Sequence, residues 1–124
     1  MSEIMRSNFV TIQLPPSVNE LYTNVYGRGR VKTTLYRNWQ KQVVPYLSLA
    51  LHKFGKQEVQ IQYHFQLGTS FKGDLSNRIK AIEDALVQAQ IIDDDNHKVV
   101  GQFSVIKSYS QLKASTVTIG IWLK

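Results

Sequence analysis

The sequence predicts an α/β (α+β) fold: one small mixed sheet with two main helices, in the order β-loop-α-β-α-β-β. Two patterns carry this expectation. "VQIQYHFQL" alternates strictly, with Val59, Ile61, Tyr63, Phe65 and Leu67 on one side and Gln60, Gln62, His64 and Gln66 on the other. That is the signature of a half-buried strand. Two longer stretches instead space their apolar residues at three and four, as helices do.

In chain order, "NFVTIQL" reads as a first strand, stopped by Pro15 and Pro16. "SVNELYTNVYGRGRVKTT" then reads as a long loop, rich in base in its second half; loops this long are often functional. From about Leu35 to Phe54 the spacing of Leu35, Trp39, Val43, Leu47 and Ala50 predicts a helix, which Pro45 should kink or split. After the alternating strand and the turn "GTSFKG", a second helix is expected from about Leu75 to Gln90. Leu75, Ile79, Ile82, Leu86 and Ala89 form its apolar side, with Asn77, Lys80 and Asp84 nearly opposite. "KVVGQFSVIK" and "TVTIGIWLK" supply two final strands. A chain of 124 residues is expected to form one domain, 1–124, large enough for one core and small enough for dimerisation.

Composition narrows the function. The chain has no cysteine, which excludes disulfides, thiolate zinc sites and a cysteine nucleophile. No apolar run approaches the ~20 residues of a membrane span and no signal-peptide core is present, so a cytoplasmic protein without membrane partners is expected. The net charge of +6 is uneven. Bases dominate up to Gly73 and again after His97, whereas Asp74, Glu83, Asp84, Asp93, Asp94 and Asp95 face only Arg78 and Lys80. A basic body attracts a polyanion that a local acidic patch repels, unless a cation lies between them.

Each acidic segment also has a plain reading. Asp74 or Ser76 in "DLSN" suits a helix N-cap, and "DDDN" suits a solvated turn. Three consecutive carboxylates nevertheless repel one another, and a hard cation such as Mg²⁺ relieves them. An EF-hand does not fit, because Lys98 stands where the loop needs glycine. "GRGR" is not a phosphate-binding loop of the Walker type. Of the histidines, only His97, beside the acid run, is a candidate base or ligand.

The ordered series "LPPSVNELY", "GRGRVKTTLYRNWQKQV", "DLSNRIKAIEDALVQAQIIDDDNHKVV" and "SVIK" resembles the RusA family of Holliday junction resolvases over nearly the whole chain. The resemblance implies a small, homodimeric, Mg²⁺-dependent endodeoxyribonuclease, bacterial or phage-encoded, with Mn²⁺ able to substitute. It would recognise four-way or other branched DNA and make paired symmetric nicks, in recombination and repair. Carried over position by position, Asp74 matches the first metal-binding aspartate and Lys80 the essential lysine. Asp94 and Asp95 match the later acidic pair, with Asp93, Ser76 and Asn77 as further candidate ligands. Arg28, Arg30, Lys32, Lys72 and Arg78 are the expected DNA contacts. The family pattern Asp-x-Asp-Asn is here Asp74-Leu75-Ser76-Asn77, and the lost carboxylate leaves a second reading open: a branched-DNA binder with a weakened metal site. A helix of roughly 15 residues, about 22 Å long, separates Asp74 from the acid run. Either the chain doubles back after the helix, or the partner subunit supplies the second cluster.

Overall fold

The computed structural model describes residues 5–17, 22–96 and 98–124. Its elements are β1 (Phe9–Gln13), β2 (Tyr22–Val25), β3 (Gly29–Lys32), α1 (Thr34–Ala50), β4 (Val59–Leu67), α2 (Leu75–Gln88), β5 (Val100–Tyr109) and β6 (Thr116–Leu123). The four-stranded sheet has the order β1-β6-β4-β5, so the fold is mixed α+β with one principal sheet and two helices.

β4 is central because its alternation lets one face be fully apolar. It pairs antiparallel with β6 and parallel with β5, the parallel pair being joined through α2. Register stacks Ile61 beside Ile121, Tyr63 beside Ile119 and Phe65 beside Val117; β1 adds Val10 and Ile12 on the same face. All eight are buried. Both helices cover this face: Tyr36, Trp39, Val43 and Leu47 from α1, and Ala81, Ile82, Ala85 and Leu86 from α2, join the same core. On the opposite face Phe9 and Trp122 meet edge to face at 5.0 Å. Gly120 makes room for that pair, since a Cβ there would lie 2.5 Å from the Trp122 ring.

Three local expectations change. The stretch expected as a loop contains the β2–β3 ribbon, whose turn at residues 26–28 is followed by Gly29; Gly27 and Gly29 both have positive φ, a conformation glycine adopts without strain. α1 runs through Pro45 without being split. Pro45 and Lys41 both lie on the exposed side, where water can satisfy the carbonyl that proline leaves without a donor. Leu35 is exposed, and Tyr36, one position on, is the residue that enters the core. Thr33 caps this helix, its hydroxyl accepting from the Tyr36 N–H at 3.2 Å.

Candidate metal and DNA site

The site is built at both ends of α2. At its start, Asp74 is the N-cap: one carboxylate oxygen accepts from the Ser76 N–H at 2.8 Å and from the Ser76 hydroxyl at 2.6 Å. These two hydrogen bonds hold the Asp74 carboxyl below its usual range, so it is a charged acceptor at neutral pH. Lys72 is exposed before it, and Asn77 lies half-buried in the first turn.

At the other end the chain reverses. Gln90 takes φ 62°, its N–H donates to the Val87 carbonyl, and the Ile91 N–H donates to the Leu86 carbonyl. This is a Schellman stop, formed here around glutamine in place of the usual glycine. The Phe54 N–H then pins the returning chain at Ile91, and the Asp93 N–H donates to Gly55. The reversal brings Asp95 back along α2 until it accepts a hydrogen bond from the Lys80 ammonium. Lys80 also lies 3.5 Å from Asp84, one turn further on. Of the two routes open from the sequence, doubling back is the one seen for Lys80 and Asp95, which meet within one chain.

The two charges support each other: the bond to Asp95 raises the Lys80 pKa, and the bond from Lys80 lowers that of Asp95. Asp94 is occupied by its own turn, accepting from the Asp95 N–H at 2.7 Å and from Asn96 Nδ2 at 3.0 Å. Asp93 is exposed. The structure therefore shows two groups on one helix, Asp74 with Ser76 and Lys80 with Asp84 and Asp95; no described hydrogen bond or ion pair joins them.

The bases come from the ribbon and α1. A cleft between α1 and α2 is lined by Lys32, Tyr36, Gln40, Asp84, Asp94 and Asp95, so Lys32 and two members of the acid run line the same cleft. Lys32 donates to Gln40 at 3.2 Å and lies 5.4 Å above the Tyr36 ring. Arg28 is exposed in the ribbon turn; Arg30 belongs to β3, and its side chain lies outside the described set. Arg78 is placed differently from the other expected DNA contacts. It is 7% exposed, with its guanidinium 4.5 Å from the centre of the Phe71 ring. His97 lies outside the described residues. His64 sits on the open sheet face, 2.8 Å from Ser108 Oγ.

The model of the family described as endodeoxyribonuclease RusA matches residues 13–121. The chain belongs to that family. No curated protein matches the chain at a significant level. RusA is a nuclease family whose activity is Holliday junction resolution, and its members act on branched DNA with divalent metal ions. No helix among the described residues is long and apolar enough to cross a membrane.

The donors here suit such an ion in kind. They are carboxylate and hydroxyl oxygens, the ligands of a hard cation. Among the described residues no three acidic or histidine side chains form a ready-made metal cage.

Sequence reasoning did not single out Glu83 as a site residue. It lies three positions beyond Lys80, hence beside it on the helix surface. Burial first, and the neighbouring Asp95 charge second, push its carboxyl up to about 7. The folded chain therefore holds this proton more tightly than the unfolded chain does. Stability falls as pH rises from about 4.5 to about 7, the reverse of the usual carboxylate contribution. In chelator-treated protein, urea melts at pH 5 and pH 8 should show Glu83→Gln gaining on the parent at the higher pH. A gain on the order of 1 kcal/mol is expected, the full shift being discounted for partial exposure. An unchanged difference between the two pH values would contradict this placement.

Proposed function

We propose that the protein is a Mg²⁺-dependent, structure-selective endodeoxyribonuclease that resolves four-way DNA junctions by paired symmetric nicks as a homodimer, with Mn²⁺ an effective substitute. The observation that carries this reading is the shared cleft, lined by Lys32 of the basic ribbon and by Asp94 and Asp95, the last of these bonded to Lys80. A polyanion held by base and brought against carboxylate is the arrangement a metal-dependent phosphodiesterase needs.

In this reading Asp95 is the principal ligand, Asp74 and Asp94 are further ligands, and Asp93, Ser76 and Asn77 are outer candidates. The bound cation supplies Lewis-acid charge at the scissile phosphate and acidifies water there. Lys80 offsets the charge that develops on the phosphoryl oxygens. Arg28, Arg30, Lys32 and Lys72 hold flanking phosphates, which gives affinity and salt dependence but no sequence choice. Arg78, stacked on Phe71, steadies the start of α2 from behind.

The dimer surface is assigned to β5. It is an edge strand of ten residues, with Phe103, Val105, Ile106 and Tyr109 exposed. Such an edge is normally blocked or occupied. Antiparallel pairing with a second copy across a two-fold axis normal to the sheet requires opposed residues of equal parity. Centred on Val105, that register sets Lys107 opposite Phe103 twice, a cation–π arrangement in place of charge repulsion. It also leaves both α2 sites on one side of a continuous sheet, facing one junction. Val105→Lys would put two like charges on the axis. Sedimentation should then give monomer, and the two nicks should lose their coupling. A variant that stays dimeric would remove β5 as the interface.

One observation favours the second reading, a binder without catalysis: Ser76 brings no charge, and its hydroxyl is already engaged by Asp74. A labelled four-way junction with Mg²⁺ separates the two. Symmetric nicks abolished by Asp74→Asn, with the junction still bound, support the nuclease. A retarded complex left intact at every Mg²⁺ and Mn²⁺ concentration supports the binder.

A further inference from the structure

Three unfavourable features meet at one point between α2, β4 and the returning chain. Glu83, half-buried, lies beside Lys80 on α2, the lysine that Asp95 is bonded to, and the Asp95 charge acts on its carboxyl. Two neighbouring carboxylates repel unless a proton or cation is shared. Beneath them lies Tyr63 of β4, fully buried, whose hydroxyl finds no hydrogen-bond partner among the described residues. It is close enough to both carboxylates that, after burial itself, each opposes its ionisation. A buried hydroxyl without a partner is destabilising, because it has given up water and gained nothing in return.

The existing counter-charge covers only part of this. The Lys80 ammonium is bonded to Asp95 and lies near Asp84, and it makes no ion pair with Glu83. Ser76, two turns earlier on the same side of α2, has its hydroxyl engaged at Asp74. An oxygen-seeking cation that retains its water would answer all three features at once. It would bridge the carboxylates and bring water within reach of the phenol.

We propose that Glu83 and Asp95 together bind the divalent cation, with the Tyr63 hydroxyl facing its hydration shell, and that Lys80 is the counter-ion the cation displaces from Asp95. The inference rests on the metal-dependent reading above. It adds a ligand and a hydrogen-bonding partner, and gives Lys80 a second position. Released from Asp95, the lysine can turn to Asp84 or to a DNA phosphate, so the group that offsets phosphoryl charge becomes free when the metal is in place.

The test is Mn²⁺ binding without DNA at pH 8, followed by the loss of the free-ion paramagnetic resonance signal. Glu83→Gln should weaken binding by about tenfold or more, and Tyr63→Phe, which keeps the buried ring, by about threefold to tenfold. Lys80→Met should tighten Mn²⁺ binding even as it abolishes cutting, because the competing ammonium is gone. Glu58→Gln, which alters a pair with Lys124 away from the site, should leave binding unchanged. Thermal melts in chelator identify any variant that fails to fold, and Glu83→Gln should melt no lower than the parent. Equal affinity of the parent and Glu83→Gln overturns the inference while the metal-dependent reading stands. Failure of the parent to bind millimolar Mn²⁺ overturns both. A Lys80→Met variant that binds Mn²⁺ no more tightly removes the counter-ion exchange.

Discussion

Asp95→Asn should leave the protein folded and the junction bound but uncut. The substitution keeps shape and removes the negative charge that would hold the cation. The metal ligand is then lost, while Lys80 keeps Asp84 as a neighbouring charge. Positioned electrostatic groups of this kind are each worth about 10² to 10³ in rate, so a loss of about 10³ or more is expected in single-turnover cleavage. Folding should survive because the turn is held by backbone bonds that the side chain does not make. The Val99 and Val100 N–H groups both donate to Asn96, and the Asp93 N–H donates to Gly55. Retention on a gel-shift assay should be unchanged, since the basic ribbon supplies the phosphate contacts. Cleavage within about tenfold of the parent would mean that Asp95 holds Lys80 in place and does nothing to the metal.

Phe65→Ala should be the costliest single truncation in the core. Phe65 is fully buried on the central strand, stacked 6.2 Å from the Tyr63 ring and in register with Val117. Removing the ring forfeits its transfer energy and leaves a cavity that strands paired on both sides cannot collapse to fill. The expected cost is about 3–5 kcal/mol, against a total of about 5–15 kcal/mol for a domain. Urea denaturation in chelator measures it. Because Tyr63 leans on Phe65 and lies under Glu83 and Asp95, divalent-cation affinity should fall as well. A loss below about 1.5 kcal/mol would contradict the placement of β4 at the centre of the core.

The parts of the fold that were legible in the sequence are those with a long, one-sided period. β4 shows every second residue buried over nine positions, and the apolar spacing of α2 points to Ile82 and Leu86 correctly. The β2–β3 ribbon is too short for alternation to stand out, and its signal was the glycine pair around Arg28. Arg78, named from its charge, has a phase that charge does not show: it lies four residues before Ile82 and seven before Ala85, on the buried side. Leu35, expected on the buried side of the first helix, is exposed, since one step around a helix exchanges burial for exposure.

Candidate site residues can be proposed from the sequence, but their arrangement cannot. Asp74, Lys80 and the acid run can be named from spacing and family resemblance. The meeting of Lys80 and Asp95 depends on Gln90 in a left-handed conformation, which nothing in the sequence announces, because glutamine is not a residue expected to end a helix that way. Glu83 was passed over because its distinction comes from burial and from the returned Asp95 charge, and spacing along the chain reveals neither. Sequence spacing could place Glu83 beside Lys80; only the reversal at Gln90 brings Asp95 back to that lysine.

The central claim is that a divalent cation held by these carboxylates cuts the DNA backbone. Crystals of the protein with a four-way junction, soaked in Mn²⁺ and measured at the manganese absorption edge, test it most directly. The account predicts an anomalous peak bridging an oxygen of Asp95 and a junction phosphate, with Glu83 in the same coordination sphere. A junction bound against Lys32 and Lys80, with no manganese on Asp74, Glu83, Asp94 or Asp95 of either protomer, would contradict it.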